Sequence, residues 1–521
     1  MVRADKRVFM SGRSWGVMMR LGRTFHVIMA LIGAVIVLAG ATLGGAAVAV
    51  LQPELAQSTA GFLNLASKAV GRLPQPAKAE SHGRQSGDDG YEIEAVLGLD
   101  QVVAGKVTVT FTNDASVGLD RLVFHLPRGL QTVALEHLDG AQAGGDPARA
   151  GLMYTVPLKS PLPQGAQVRA TLKYSTFLAQ GHRRQGISSG VWLINDWYPS
   201  LDVFDGEHWH AGEGAAFGDY SFLATASYKV RLTAPAGLSA YGPYGDRGRV
   251  VAVEGSAQTL VFETGPVREF AAVLTDQHGA VAEVGQTRPA LAALYLAGHE
   301  AAARGALGSA RKALTTFSEL FGPYPGPAFV IVEAPITDFK GVEFPGFILI
   351  SSSQYESGDG LESVIVHEVA HQWWYNLVGS DQLEEPWIDE ALANYSTSLY
   401  FEKEYGPAAG RSILNAGAFA LYRARRSAYP ESYVAKPVTA FATEEEYKMM
   451  TYGRGALFLQ ALREAMGDQK FFEFLRGLAA DHAGGYVTEK TLRAEADRAA
   501  RRSLAGLFDL WLHQPDARLP R

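Results

Sequence analysis

The chain of 521 residues contains no cysteine. Disulfides, thiolate zinc sites, thiol catalysis and cysteine-linked lipid anchors are therefore excluded, and any metal must be held by His, Asp or Glu. Charge is sparse and nearly balanced, with a net −7 and no basic stripe, which argues against nucleic acid as a partner. Charge is missing altogether between Val27 and Leu51. An apolar stretch of that length can cross a hydrocarbon core of roughly 30 Å, and it exceeds the ~7–15 residues of a signal-peptide core. Arg3, Lys6, Arg7, Arg13, Arg20 and Arg23 precede it against the single acid Asp5. A basic flank of this kind stays in the cytoplasm. The expectation is a cytoplasmic segment over 1–25, a single-pass signal anchor in the lipid bilayer over 26–51, and an extracytoplasmic remainder, periplasmic or on the cell surface. The small residues Ala46-Ala47-Val48-Ala49 resemble a cleavage site, so removal of the anchor stays open.

Residues 52–90 scatter Pro, Ser, Gly and charge, as a linker does. Over 91–280 the hydrophobic period is two. Gly105-Lys106-Val107-Thr108-Val109-Thr110-Phe111 alternates polar and apolar side chains, and Val168 to Tyr174 and Ser227 to Leu232 do the same. Pro163, Gly165, Pro235 and Gly237 punctuate these runs, which predicts an antiparallel β-sandwich or saddle. Over 281–521 the pattern turns helical around two strand-like runs, Phe329 to Val332 and Phe347 to Ile350. Helices are expected from Ala301 to Leu320, Leu361 to Val378 and Pro386 to Glu404, and through most of 411–515. The fold class is thus α+β and multidomain, with a helical C-terminal part.

His367-Glu368-Val369-Ala370-His371 lies on the second of these helices. Residues four apart share one helical face, so both imidazoles can reach a single ion. Glu390 supplies a third ligand, and three protein ligands leave a fourth position open, the signature of a catalytic zinc site. Two imidazoles and a carboxylate suit one Zn2+ per chain. Glu368 is then placed as general base, and Asn394, one turn beyond Glu390, is a candidate to orient a ligating histidine.

His367 to Trp374, with Trp387-Ile388-Asp389-Glu390, resembles the aminopeptidase N-like zinc metallopeptidases, gluzincins related to leukotriene A4 hydrolase. The eighteen residues between His371 and Glu390 match that family. Lys340-Gly341-Val342-Glu343-Phe344 resembles its Gly-x-Met-Glu-Asn element, which implies that Gly341 and Glu343 bind substrate and that Glu343 anchors a free amine. Tyr452-Gly453-Arg454-Gly455-Ala456-Leu457 resembles its Tyr-x-Lys-Gly-Ala element, which makes Tyr452 catalytic as an oxyanion donor. Trp197-Tyr198-Pro199, Gly218-Asp219 and Leu232 to Pro235 are similar to its saddle domain. The resemblance implies a saddle followed by a thermolysin-like catalytic domain, and an aminopeptidase acting on peptides, which the N-terminal anchor would tether to the membrane. Departures are Lys340, Val342, Phe344 and Asp389, in place of Gly, Met, Asn and Asn. Residues 190–205 show no counterpart of the acidic or amide residue that the saddle adds to the amine pocket, which leaves amine recognition to Glu343 alone. The weakened element keeps an endopeptidase or oligopeptidase as the alternative, and a catalytically silent peptide-binding module as a third reading. The family's large helical C-terminal domain has no room after the catalytic helices, which implies an open or differently covered cleft.

Gly186-Ile187-Ser188-Ser189-Gly190 matches a serine-hydrolase elbow, but such an elbow needs a strand before it and a helix after it. His208-Trp209-His210 stands in a polar loop and is expected at the surface rather than on a metal. Trp373 and Trp374 are expected to fill core around the metal helix.

Overall fold

The computed structural model describes residues 89–515, apart from 180, 182–184, 211, 213, 215 and 284–287. The expected anchor at 26–51 and almost all of the expected linker lie outside the described residues. Among the described residues, no helix is long and apolar enough to cross a membrane.

The period-two segments become a seven-stranded sheet, ordered Arg249–Glu254, Ala257–Val267, Ala226–Pro235, Gly90–Leu97, Val102–Thr112, Gln167–Phe177, Leu130–Asp139. Along Gly90–Leu97 and Gln167–Phe177 every second residue is buried, as expected for a sheet with one wet face. A four-stranded sheet containing Leu119–His125 and Met153–Leu162 shares its core, through Val107, Phe124, Tyr154 and Leu172. The sheet is not wholly antiparallel: Gly90–Leu97 runs parallel to Ala226–Pro235. A parallel neighbour needs a long crossover rather than a hairpin, and more than a hundred residues separate these strands, a link that local periodicity cannot reveal.

A five-stranded mixed sheet follows, ordered Gly279–Ala282, Ala290–Tyr295, Ala328–Ala334, Phe347–Ser351, Gly341–Phe344. Gly341–Phe344 pairs antiparallel with Phe347–Ser351 and forms the edge. Helix α1 (Glu300–Phe321) packs its Ala303, Ala306, Ala310, Ala313 and Phe317 into the core that this sheet shares with α2 (Leu361–Ala370) and α3 (Trp387–Tyr405). Small alanines let helix and sheet approach closely, and Trp373 and Trp374 fill the space between, both almost fully buried.

Helix α2 is shorter than its apolar pattern suggested. It ends at His371 instead of running to Val378, because Asn376 folds back and its backbone N–H and side-chain amide both donate to the His371 carbonyl. Tyr375 takes up a φ of 120° at that reversal, a conformation uncommon for a residue with a side chain. The buried Arg268 of the β-rich part fixes the turn. Its guanidinium donates to the carbonyls of Tyr375 (2.7 Å), Leu223 (2.7 Å) and Gly485 (2.8 Å). Gly186–Ser188 pairs with Val191–Ile194 as a hairpin, so no helix follows the serine-hydrolase match.

Candidate metal centre and amine recess

His367 and His371 leave α2 on one face, with their Nε2 atoms 3.2 Å apart. Glu390, in the first turn of α3, brings Oε2 to 3.3 Å from His367 Nε2 and 3.5 Å from His371 Nε2. That oxygen is buried and has no hydrogen-bond partner, while Oε1 accepts from the Tyr452 hydroxyl. Three lone pairs thus converge on one point at the spacing that ligand bonds of about 2.0–2.2 Å produce around a tetrahedral ion. His371 Nδ1 donates to the Trp374 carbonyl (2.9 Å), which selects the tautomer whose Nε2 faces the site. The reversal after α2 supplies that carbonyl. The residues fit a zinc ion.

Electrostatics agree with the geometry. Burial works against a carboxylate at Glu390, but the adjacent His367 and His371 imidazoles outweigh it and hold the group well below the usual range. Burial likewise works against an imidazolium at His371, and Glu343, Glu390 and Glu368 more than compensate, raising it. Burial and then the Glu390 charge push the Tyr452 hydroxyl far up, so it remains a donor. Burial, Glu390 and Asp219 also raise Asp389. Its two oxygens both accept, Oδ2 from Gln382 Nε2 (2.7 Å) and Oδ1 from the Glu390 N–H (2.9 Å), a pattern that an asparagine amide, with a single acceptor oxygen, does not reproduce.

Glu368 sits beside the trio at the wall formed by the edge strand, and Gly341 is shaped by it. A Cβ at 341 would lie 2.4 Å from Glu368 Oε1 and 2.7 Å from its Cγ and Cδ. Only glycine lets the strand pass this carboxylate. Gln372 holds the same strand against α2 by accepting from Gly346 N–H (2.9 Å) and donating to the Phe344 carbonyl (3.1 Å). Glu343, Glu368 and His371 consequently approach one another, with ligand atoms all within 4.8 Å. Tyr452 arrives on a π-helical turn, Met449–Arg454, a local widening common at functional sites. Asn394 does not orient a histidine: its amide donates to the Tyr452 carbonyl (2.6 Å) and fixes that turn. These residues line a cleft of about 680 Å³, with Lys340 at its wall.

Behind Glu343 lies a recess of about 30 Å³, lined by Asp196, Asp219, Tyr220, Glu269, Glu343 and Tyr375. Its volume is that of one small polar group. Three of its carboxylates come from the β-rich part, which corrects the expectation that Glu343 stands alone. Asp196 lies within 190–205 and Glu269 outside it, and neither lies in a local motif. Glu269 is aimed by the Tyr375 hydroxyl, which donates to its Oε1 (2.7 Å). The one available signal was charge: Arg268-Glu269 interrupts an otherwise apolar run before Phe270-Ala271-Ala272-Val273.

His210 is largely buried, with Nδ1 2.6 Å from Asp381 Oδ2 and Nε2 3.0 Å from Asp205 Oδ2. His208 is exposed.

Comparison with known proteins agrees with this geometry. Residues 306–511 match the Peptidase family M1 domain. Aminopeptidase RNPEPL1 of Homo sapiens is 30% identical over 175 residues, covering 32% of this chain and 24% of that protein. Aminopeptidase B of Mus musculus is 27% identical over 220 residues, covering 39% of this chain and 33% of that one. The chain therefore spans a quarter to a third of these curated relatives. An M1 zinc metallopeptidase from Deinococcus radiodurans is similar in fold over 87% of this chain and 98% of its own, at a TM-score of 0.60 and 22% identity. A mutant of the Deinococcus protein, seen with a Tyr-Ser-Ala substrate, gives a TM-score of 0.59 at 21% identity over 83% of this chain and 96% of its own. The family carries a single catalytic zinc, for which His367, His371 and Glu390 are the fitting ligands. The family M1 match over 306–511 and this ligand geometry support the aminopeptidase N-like zinc metallopeptidases, the gluzincins, as the family of the catalytic part.

Proposed function

We propose that the protein is a zinc aminopeptidase that removes N-terminal residues from peptides. The observation that carries this reading is the small acidic recess beside the metal-ligand trio, joined to it by Glu343. Held there by Glu343 with Glu269, Asp219 and Asp196, a substrate's α-ammonium places the first peptide bond over the metal ligands. When bound, zinc supplies a Lewis acid for the scissile carbonyl and lowers the pKa of a water to about 7. Glu368 accepts the proton of the attacking water and returns it to the leaving amine. Tyr452, kept protonated, donates to the oxygen on which charge develops. The Deinococcus neighbour with Tyr-Ser-Ala supports a peptide as substrate. The test is cleavage of one peptide with a free and with an N-acetylated terminus. A strong preference for the free form is expected, and equal rates would replace the aminopeptidase by an endopeptidase or oligopeptidase.

The uncharged stretch from Val27 to Leu51 behind six basic residues supports a membrane tether with the catalytic part outside the cytoplasm. Carbonate washing of membranes from cells expressing the full chain checks it. Retention in the pellet is expected, and release into the supernatant refutes the tether.

A further inference from the structure

The loop that carries His208-Trp209-His210 builds a second cluster away from the catalytic cleft. Asp205 Oδ1 accepts from the N–H groups of Glu207 and His208, both at 2.8 Å, and this fixes the carboxylate. Its Oδ2 then faces both rings, 3.3 Å from His208 Nδ1 and 3.0 Å from His210 Nε2. The first of these falls within the 3.2–3.5 Å found among His367, His371 and Glu390, and the second is slightly shorter. All three ligand atoms lie within 4.8 Å of one another. His208 and His210 stack with centroids 4.6 Å apart and planes 28° from parallel, so both imidazoles turn towards one point.

Asp381 gives His210 the orientation a ligand needs. It accepts from the N–H groups of Leu383 (2.9 Å) and Glu384 (3.0 Å), and its other oxygen takes the His210 Nδ1 proton at 2.6 Å. Nε2 is thereby presented to the cluster, in the carboxylate–histidine–metal arrangement that raises ligand basicity. Beside it is Asp202, 3% exposed, whose Oδ2 has no hydrogen-bond partner and whose charge interacts with His210 and Asp381. Burial, and then the Asp381 charge, push this carboxyl well above the usual range, and a nearby cation would oppose both effects. The Glu384 carboxylate also feels the charge of both imidazoles. An imidazolium at His210 alone would satisfy Asp205 and Asp381, but it leaves His208 turned onto the same oxygen without purpose.

We propose that Asp205, His208 and His210 form a second divalent-cation site, of the Zn2+ class, oriented by Asp381. Two imidazoles and a carboxylate are the same borderline ligand set as in the cleft. The ligands belong to the β-rich part, and Asp381 and Glu384 to the segment entering α3, so the ion acts as a structural brace between the two.

Metal content of the full chain, measured after equilibration with buffered Zn2+, tests this. The wild type is expected to hold two equivalents. His208→Ala, at an exposed side chain that threatens no packing, should hold one, with turnover unchanged. Its melting temperature should drop by several degrees in zinc and match the wild type in EDTA. Asp381→Asn should weaken the second equivalent about 10–100-fold. One equivalent in the wild type, or two in His208→Ala, would overturn the site.

Discussion

Replacing Glu343 by Gln removes a charge without changing shape. Glu343 is 8% exposed on the edge strand, opposite Ile348, so the isosteric amide keeps its packing. A hydrogen bond to a charged partner contributes about 1.5–3 kcal/mol, which is roughly 10–150-fold in kcat/KM at a factor of ten per 1.4 kcal/mol. Asp196, Asp219 and Glu269 remain in the recess, and the amide oxygen can still accept. The loss should therefore fall near the lower end, about 10–30-fold on a peptide with a free terminus. For the N-acetylated peptide no ammonium is involved, and its slow cleavage should change less than about twofold. Steady-state kinetics on the matched pair reads both numbers. Equal losses on both substrates would show that Glu343 acts through His371 and the metal. No loss on either would remove the amine from the recess.

Tyr452→Phe keeps the ring against His367 and removes one donor to developing charge, so kcat should fall about 10²–10³-fold with KM little changed; a loss below threefold would deny Tyr452 that role. Gly341→Ala should displace the Glu368 carboxylate and cut kcat strongly while zinc content, checked by mass spectrometry, stays at the wild-type value. Unchanged kcat would mean that the strand yields instead. Below neutral pH the buried His125 should matter: burial and Arg128 lower it from 6.5 to about 4. The unfolded chain then takes up the proton first, so stability is full above pH 6.5 and is lost as pH falls towards 4, by about 3 kcal/mol in all. Denaturant melts of wild type and His125→Leu check this, and parallel pH profiles would refute it.

The metal ligands were legible because they lie on one helical face and in one helical turn, where spacing alone fixes geometry. Tyr452 and Glu343 needed the resemblance to place them, since a lone Tyr or Glu has no diagnostic spacing. The recess was missed because its parts come from 196, 219, 269 and 343, joined only by tertiary contact. The early end of α2 was missed for a different reason. Trp373, Trp374, Leu377 and Val378 continue an apolar pattern, yet Asn376 stops the helix with two hydrogen bonds. His208 and His210 were assigned to the surface on local polarity, which held for His208. His210 is largely buried because Asp381, more than 170 positions away, receives it.

Arg268 has a wider consequence. It joins the carbonyl of Tyr375 to those of Leu223 and Gly485, and the next residue is Glu269. The hydrolytic trio and its base sit on neighbouring helices of a single part, and the β-rich part reaches them only indirectly, through the Arg268 contacts to the reversal that orients His371. The recess proposed to recognise a chain terminus, by contrast, is lined by residues of both parts. Selectivity and reactivity are then separable properties: a slight slackening of that seam would blunt the discrimination between blocked and unblocked peptides and leave the hydrolytic step intact. Substitutions along the seam become a route to new substrate ranges that never passes through a dead enzyme.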